Sequence, residues 1–146
     1  MKTYIGVDLG TSSIKLTLID SLGNILNEVS KDYPLYQKGL YSEQNPEDWW
    51  EAFTFCFDKL LEQQDRDCLE GLSFSGQMHG LVLLDKNDRI IRSCILWNDG
   101  RSEEETKYLN EVVGKDKLSE WTGNIAYAGF TAPKLLWVKK NKKELF

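Results

Sequence analysis

Two short apolar runs near the N-terminus, joined by three small residues, constrain this chain more than any other feature. Tyr4, Ile5 and Val7 read as a buried strand, and Ile14, Leu16 and Leu18 alternate with Lys15 and Thr17 as a half-exposed one. Gly10, Thr11 and Ser12 then form the connection of an antiparallel hairpin, and Asp8 falls where the first strand runs out. In a turn of small residues, successive backbone N–H groups can converge on an anion, and the hydroxyls of Thr11, Ser12 and Ser13 add donors. A carboxylate repels bare phosphate, so the natural role of Asp8 is to hold a hydrated divalent cation against it. The same residues also suit a plain tight hairpin in which Asp8 caps its own turn. The chain has neither the G-x-x-x-x-G-K-[ST] of a P-loop nor the G-x-G-x-x-G of a dinucleotide fold here, so any nucleotide chemistry belongs to another architecture.

The pattern continues beyond the hairpin. Asp20-Ser21-Leu22-Gly23-Asn24 reads as a turn and residues 25–34 as a third strand, completing an antiparallel meander. Asn45-Pro46-Glu47-Asp48 starts a helix, with Asn as cap, Pro at the first helical position and acids in the first turn. Trp49, Phe53, Phe57, Leu60 and Leu61 recur at helical spacing, carrying that helix to about residue 63. Residues 69–75 are strand-like and follow a helix, so they return parallel to the first strand by a right-handed crossover. Residues 81–84 and 90–96 read as a further hairpin around Asp85-Lys86-Asn87-Asp88. Ser102-x-x-Glu105 is a capping box that opens a helix to about Val113, followed by two shorter helical pieces. The last of these, residues 132–143, reads as amphipathic with Leu135, Leu136 and Val138 apolar. The expected class is α/β, a mixed sheet with helices packed on it.

At 146 residues and 41% hydrophobic content, the chain suffices for one compact domain but not for two large ones. A net charge of -5 argues against nucleic acid as a partner, and no apolar run approaches the length of a membrane span. Met1-Lys2-Thr3 leads directly into a strand, so a cytoplasmic location is expected. Cys56, Cys68 and Cys94 are odd in number and lack C-x-x-C spacing, which favours buried structural thiols over disulfides or zinc. Lys139, Lys140, Lys142 and Lys143 read as a solvated helix end.

Two further constellations carry chemistry. Gly76-Gln77-Met78-His79-Gly80 interrupts two apolar segments and holds the chain's single histidine between glycines. The glycines allow a sharp turn that leaves Gln77 and His79 at a strand edge, where amide and imidazole can address hydroxyl groups of a polyol. The plainer alternative is a surface loop that happens to carry a histidine. Leu96-Trp97-Asn98-Asp99-Gly100-Arg101 lies where another strand ends. Its indole suits the C–H face of a sugar, and Asn98, Asp99 and Arg101 suit its hydroxyls. Alternatively, Asp99 and Arg101 pair structurally at a helix entrance.

These motifs, with Ser42-Glu43-Gln44-Asn45-Pro46-Glu47-Asp48-Trp49-Trp50 and Gly129-Phe130-Thr131-Ala132-Pro133-Lys134-Leu135-Leu136-Trp137, resemble the N-terminal part of the FGGY family of carbohydrate kinases over essentially the whole chain. The family shares the ATPase fold of actin, hexokinase and the heat-shock chaperones, a ribonuclease H-like mixed sheet of an antiparallel three-strand meander plus a parallel strand, flanked by helices. The G-Q-M-H-G and L-W-N-D-G-R pair is the specific part and points to the branch acting on D-xylulose. The resemblance implies ATP-dependent phosphorylation of a ketose, D-xylulose to D-xylulose 5-phosphate, with ATP and Mg2+ as cofactors.

By matching motif, Asp8 would sit near the metal and the transferring phosphate, with Gly10, Thr11, Ser12 and Lys15 around the phosphates. Met78 and His79 would line the sugar site, with Gln77, Asn98, Asp99 and Arg101 beside it. Residues 1–146 are then expected to form an incomplete N-terminal kinase domain, inactive alone, because the family's aspartate base and adenosine pocket lie further downstream. The expected partners are a small sugar and ATP, with no nucleic acid and no membrane; a homodimer is left open. Alternatives are a non-catalytic sugar or nucleotide-binding module and a kinase for gluconate, ribulose or glycerol. A two-metal nuclease is disfavoured, since only Asp8 is well placed for it.

Overall fold

The computed structural model describes residues 1–145, which fall into two compact units: Met1–Pro34 with Pro46–Gln77, and Leu35–Asn45 with the chain from Met78 onward. Phe146, inside the expected kinase domain, lies outside the described residues.

The first unit holds a four-stranded sheet in the order β3-β2-β1-β6. Its strands are β1 (Thr3–Leu9), β2 (Ser13–Asp20), β3 (Ile25–Asp32) and β6 (Leu69–Gly76). β1 and β2 pair antiparallel with Leu9 opposite Ile14, β3 continues the meander, and β6 lies parallel to β1. This is the expected meander with one parallel strand. Ile5, Val7, Ile14, Leu16 and Leu18 are all buried as read, while Lys15 is exposed. Tyr4, read as buried with them, is 38% exposed, because it alternates with Ile5 to the other face of the sheet.

Helix α1 (Pro46–Leu60) packs on this sheet. Ala52, Cys56 and Leu60 are buried in one core with the strand residues, and Trp49, Phe53 and Phe57 pack against it. Each fully buried aliphatic side chain contributes about 1.5–3 kcal/mol, so this face dominates the unit's cohesion. The helix ends at Leu60 rather than near residue 63. There the Asn27 side chain donates to the Leu60 carbonyl at 3.2 Å, and the chain continues through successive turns.

The second unit contains a small sheet that the sequence pattern does not announce, β4 (Tyr36–Lys38), β5 (Tyr41–Gln44) and β7 (Cys94–Ile95), in the order β4-β5-β7. The hairpin expected over residues 81–84 and 90–96 does not form as a ladder. Only the bridges Leu84↔Ile90 and Leu81↔Ile95 occur. Between them residues 82–83 face residues 91–94, an unequal match that breaks the register. Cys94 and Ile95 instead pair with Gln44 and Glu43 of β5.

The helices are α2 (Glu103–Tyr108), a wide π-type turn over Leu109–Gly114, α3 (Lys115–Thr122) and α4 (Thr131–Asn141). Two local expectations change here. The Ser102 side chain makes no capping bond; it donates to the Ala128 carbonyl at 3.1 Å, and Glu105 pairs with Lys140 at 3.3 Å. In α4 the buried residues are Pro133, Lys134 and Val138, whereas Leu135 is 39% exposed. The buried face thus includes a lysine and excludes one of the leucines that suggested it. Of the three cysteines, Cys56 and Cys94 are buried and Cys68 is partly exposed. Among the described residues, no helix is long and apolar enough to cross a membrane.

Candidate functional site

In the first unit, Asp8 is the penultimate residue of β1, exposed and directly opposite Lys15 in the β1–β2 register. Lys15 turns instead to Glu28 on β3, with Nζ 2.7 Å from Oε1, and the Thr17 hydroxyl donates to the same oxygen at 2.9 Å. Asp8 and Lys15 line a shallow depression of about 350 Å³ with Gly6, Thr17, Ser73 and Ser75. Gly10, Thr11 and Ser12 form the turn beyond it without lining it.

That turn is tied down by a residue the sequence reading missed. The Tyr33 hydroxyl, buried at 7% exposure, meets the Gly10 carbonyl and the Ser13 carbonyl, the latter at 2.9 Å. The Tyr33 amide donates to the Ser12 carbonyl at 3.1 Å, and the Gly10 amide donates to the Ser13 carbonyl at 2.9 Å. Burial, reinforced by the negative charge of Asp8, pushes the Tyr33 phenol up to about 12, so the hydroxyl stays a donor. A lone tyrosine at the end of a strand carries no pattern that marks this role. At the other margin of the unit, the Gln77 amide donates to the Leu9 carbonyl at 2.8 Å. Gly76 is needed beside it, because a Cβ there would lie 2.8 Å from the Leu9 carbonyl oxygen.

In the second unit, Met78 and His79 are both exposed. The sharp turn expected from the flanking glycines falls on His79 itself, which has φ 63°. Its ring stacks on Phe130 with centroids 4.4 Å apart, and its carbonyl accepts from Lys134 Nζ at 2.8 Å. Lys134 is fully buried and donates also to the Gly129 carbonyl at 2.7 Å. Burial lowers its pKa to about 8, against the opposing pull of Cys94 and Asp99. The available sequence signal is that Lys134 lies four residues before Val138 and so shares its buried face.

Asn98 is exposed at the start of the 98–101 turn, but Asp99 and Arg101 are not. Asp99 accepts from the Ser42 amide at 2.6 Å and from the Arg101 amide at 3.0 Å, and it forms a bidentate pair with the Arg101 guanidinium. Arg101 also reaches Glu43 at 2.6 Å and lies over the rings of Tyr41 and Trp137, at 4.1 and 4.9 Å. Burial pulls the guanidinium down, but its bonds to Asp99 and Glu43 outweigh this and raise its pKa. The pair expected beside the sugar is engaged internally, as the structural alternative had it. A cavity of about 840 Å³ in this unit is lined by Arg101 with Tyr36, Lys38, Glu43, Arg92 and Trp137, and by none of Met78, His79 or Asn98.

Among the described residues, no three or more His, Cys, Asp or Glu side chains are grouped to hold a metal. Asp8 offers an exposed carboxylate at the hairpin, which fits Mg2+, an ion that keeps most of its water and binds through one or two carboxylates plus phosphate oxygens.

Against known proteins, residues 3–146 match the FGGY family of carbohydrate kinases, N-terminal domain. The chain is 47% identical to the xylulose kinase of Bacillus subtilis, over 100% of this chain and 30% of that protein. It is 30% identical to the gluconokinase of Bacillus subtilis, over 99% of this chain and 29% of that protein. The crystal structure of a xyloylose kinase from Brucella ovis superposes with a TM-score of 0.91 at 39% identity, over 99% of this chain and 30% of that one. The chain therefore spans about 30% of the length of the curated relatives it matches, and its fold is that of the sugar kinases with the actin-like ATPase architecture.

Proposed function

Since this chain belongs to the FGGY family of carbohydrate kinases, we propose that it forms the N-terminal domain of an enzyme that transfers the γ-phosphoryl group of ATP to D-xylulose, giving D-xylulose 5-phosphate in the cytoplasm. The observation that carries this reading is 47% identity to a xylulose kinase along the full chain. The exposed Asp8 carboxylate and the exposed His79 loop supply compatible chemistry.

In this reading Asp8 carries Mg2+, which when bound would neutralise charge developing on the transferring phosphoryl group. The backbone amides and hydroxyls of Gly10, Thr11 and Ser12 donate to phosphate oxygens, and Lys15 adds positive charge beside them. Met78 supplies an apolar wall for the sugar, while His79, Gln77 and Asn98 hydrogen-bond its hydroxyls. Asp99 and Arg101 act one step back, holding the turn that presents Trp97 and Asn98. Phosphoryl transfer demands alignment of nucleophile, metal and γ-phosphate with a base at the attacking hydroxyl. No residue in this set takes that proton, so residues 1–146 alone release no ADP in this reading.

The test is an ADP-release assay on the complete enzyme with D-xylulose, D-ribulose, gluconate and glycerol. The highest kcat/KM is expected with D-xylulose. A clear preference for gluconate would reassign the substrate, and absence of turnover with all four would overturn the kinase reading.

A further inference from the structure

The buried ammonium of Lys134 has no place in the chemistry above, yet it is bonded to the residue on which sugar recognition is proposed to turn. His79 adopts φ 63°, a region that non-glycine residues rarely occupy and that persists only where surrounding contacts hold it. Those contacts come from one short stretch. Lys134 Nζ donates to the His79 carbonyl at 2.8 Å, the Thr131 hydroxyl donates to the same oxygen at 3.3 Å, and the imidazole stacks on Phe130.

The stretch is itself anchored. Lys134 also donates to the Gly129 carbonyl, and a Cβ on Gly129 would lie 2.6 Å from the Trp97 carbonyl oxygen. Residues 129–134 therefore grip two of the loops singled out by sequence, at His79 and at Trp97. A buried ammonium is tolerated only when paired or hydrogen-bonded, and here its acceptors are main-chain carbonyls of the loop and of the stretch that grips it.

We propose that Lys134 is a positioning residue that fixes the His79 turn in its left-handed conformation and thereby sets affinity for the sugar. The kinetic consequence rests on the sugar-kinase reading; the positioning does not. Lys134→Met keeps the aliphatic stem and removes the donors. In the complete enzyme it should raise KM for the sugar at least tenfold, leave KM for ATP within twofold, and lower kcat much less. Hydrogen exchange followed by mass spectrometry should show peptide 78–82 exchanging at least fivefold faster, with peptides from β1 and β2 unchanged.

A folded Lys134→Met enzyme with unaltered exchange in 78–82 would overturn the proposal, as would faster exchange with an unchanged sugar KM. Faster exchange in an enzyme whose wild type phosphorylates no sugar would sink the kinase reading and leave the positioning role supported. Should Lys134→Met fail to fold, Thr131→Val decides on the same readouts. At least a twofold change in both exchange and sugar KM supports the role, and no change in either overturns it.

Discussion

Arg101 and Asp99 face each other through two parallel hydrogen bonds, Nε to Oδ1 at 2.8 Å and Nη2 to Oδ2 at 2.7 Å. Their side chains are only 4% and 0% exposed. Two charges withdrawn this far from water are held by mutual attraction and by further donors, here the Ser42 and Arg101 amides on Asp99. The motif thus holds a loop in place and leaves its neighbours Trp97 and Asn98 exposed.

Removing Asp99 takes from the buried Arg101 its bidentate partner and leaves it Glu43 as the remaining carboxylate. Asp99→Ala is expected to destabilise the fold by about 3–5 kcal/mol, as broken buried ion pairs do. Urea unfolding measures it. A loss below about 1 kcal/mol would mean that solvent reaches Arg101 and the network is not structural.

Tyr33→Phe removes one hydroxyl that serves the carbonyls of both Gly10 and Ser13. Its loss should reduce stability by about 1–3 kcal/mol. In the complete enzyme it should also raise KM for ATP severalfold while KM for the sugar stays within twofold. A variant with wild-type ATP kinetics would separate the hairpin turn from phosphate binding.

Asp8 and His79 should divide the kinetic parameters of the complete enzyme between them. Asp8→Asn is expected to lower kcat by two orders of magnitude or more. Because the side chain is exposed, stability should change by no more than about 0.5 kcal/mol. His79→Asn tolerates the positive φ and should raise KM for the sugar with a smaller change in kcat. Equal effects of the two substitutions on sugar KM would argue against the separate roles.

Lys134 links stability to pH. Burial lowers its pKa from 10.5 to about 8, so above pH 8 the folded chain has released a proton that the unfolded chain still holds. Stability therefore rises with pH through this window and is flat below it. Cys94, raised by burial from 9.0 to about 11, acts in the opposite sense from pH 9 upward. Unfolding of the wild type and of Lys134→Met should be compared at pH 7, 8 and 9. The stability of the wild type relative to the variant should increase across that series, and a constant difference would show that Lys134 titrates normally when folded.

Local order was readable where burial follows a simple period. Ile5, Val7, Ile14, Leu16 and Leu18 alternate because one sheet face meets α1, and Trp49, Phe53 and Phe57 recur at helical spacing for the same reason. Where local pattern competed with tertiary partners, it misled. Ser102 and Glu105 have the spacing of a capping box, but their side chains serve Ala128 and Lys140. The apolar arms at 81–84 and 90–96 differ in length between their bridges, so β7 pairs with β5.

The sequence by itself determined the meander with its parallel strand, the helix that covers it, and the short motifs carrying an acid, a histidine and an amide. Only the tertiary structure decided which polar side chains are left for solvent and ligands. Asp99 and Arg101 were withdrawn into a mutual pair, while Tyr33 and Lys134 emerged as the ties of the hairpin turn and the His79 loop. The physical reason is that periodicity records burial of apolar surface, a property each residue expresses locally. The partner of a buried hydroxyl, carboxylate or ammonium is chosen by carbonyls and amides distant in sequence, and those are the same in every residue.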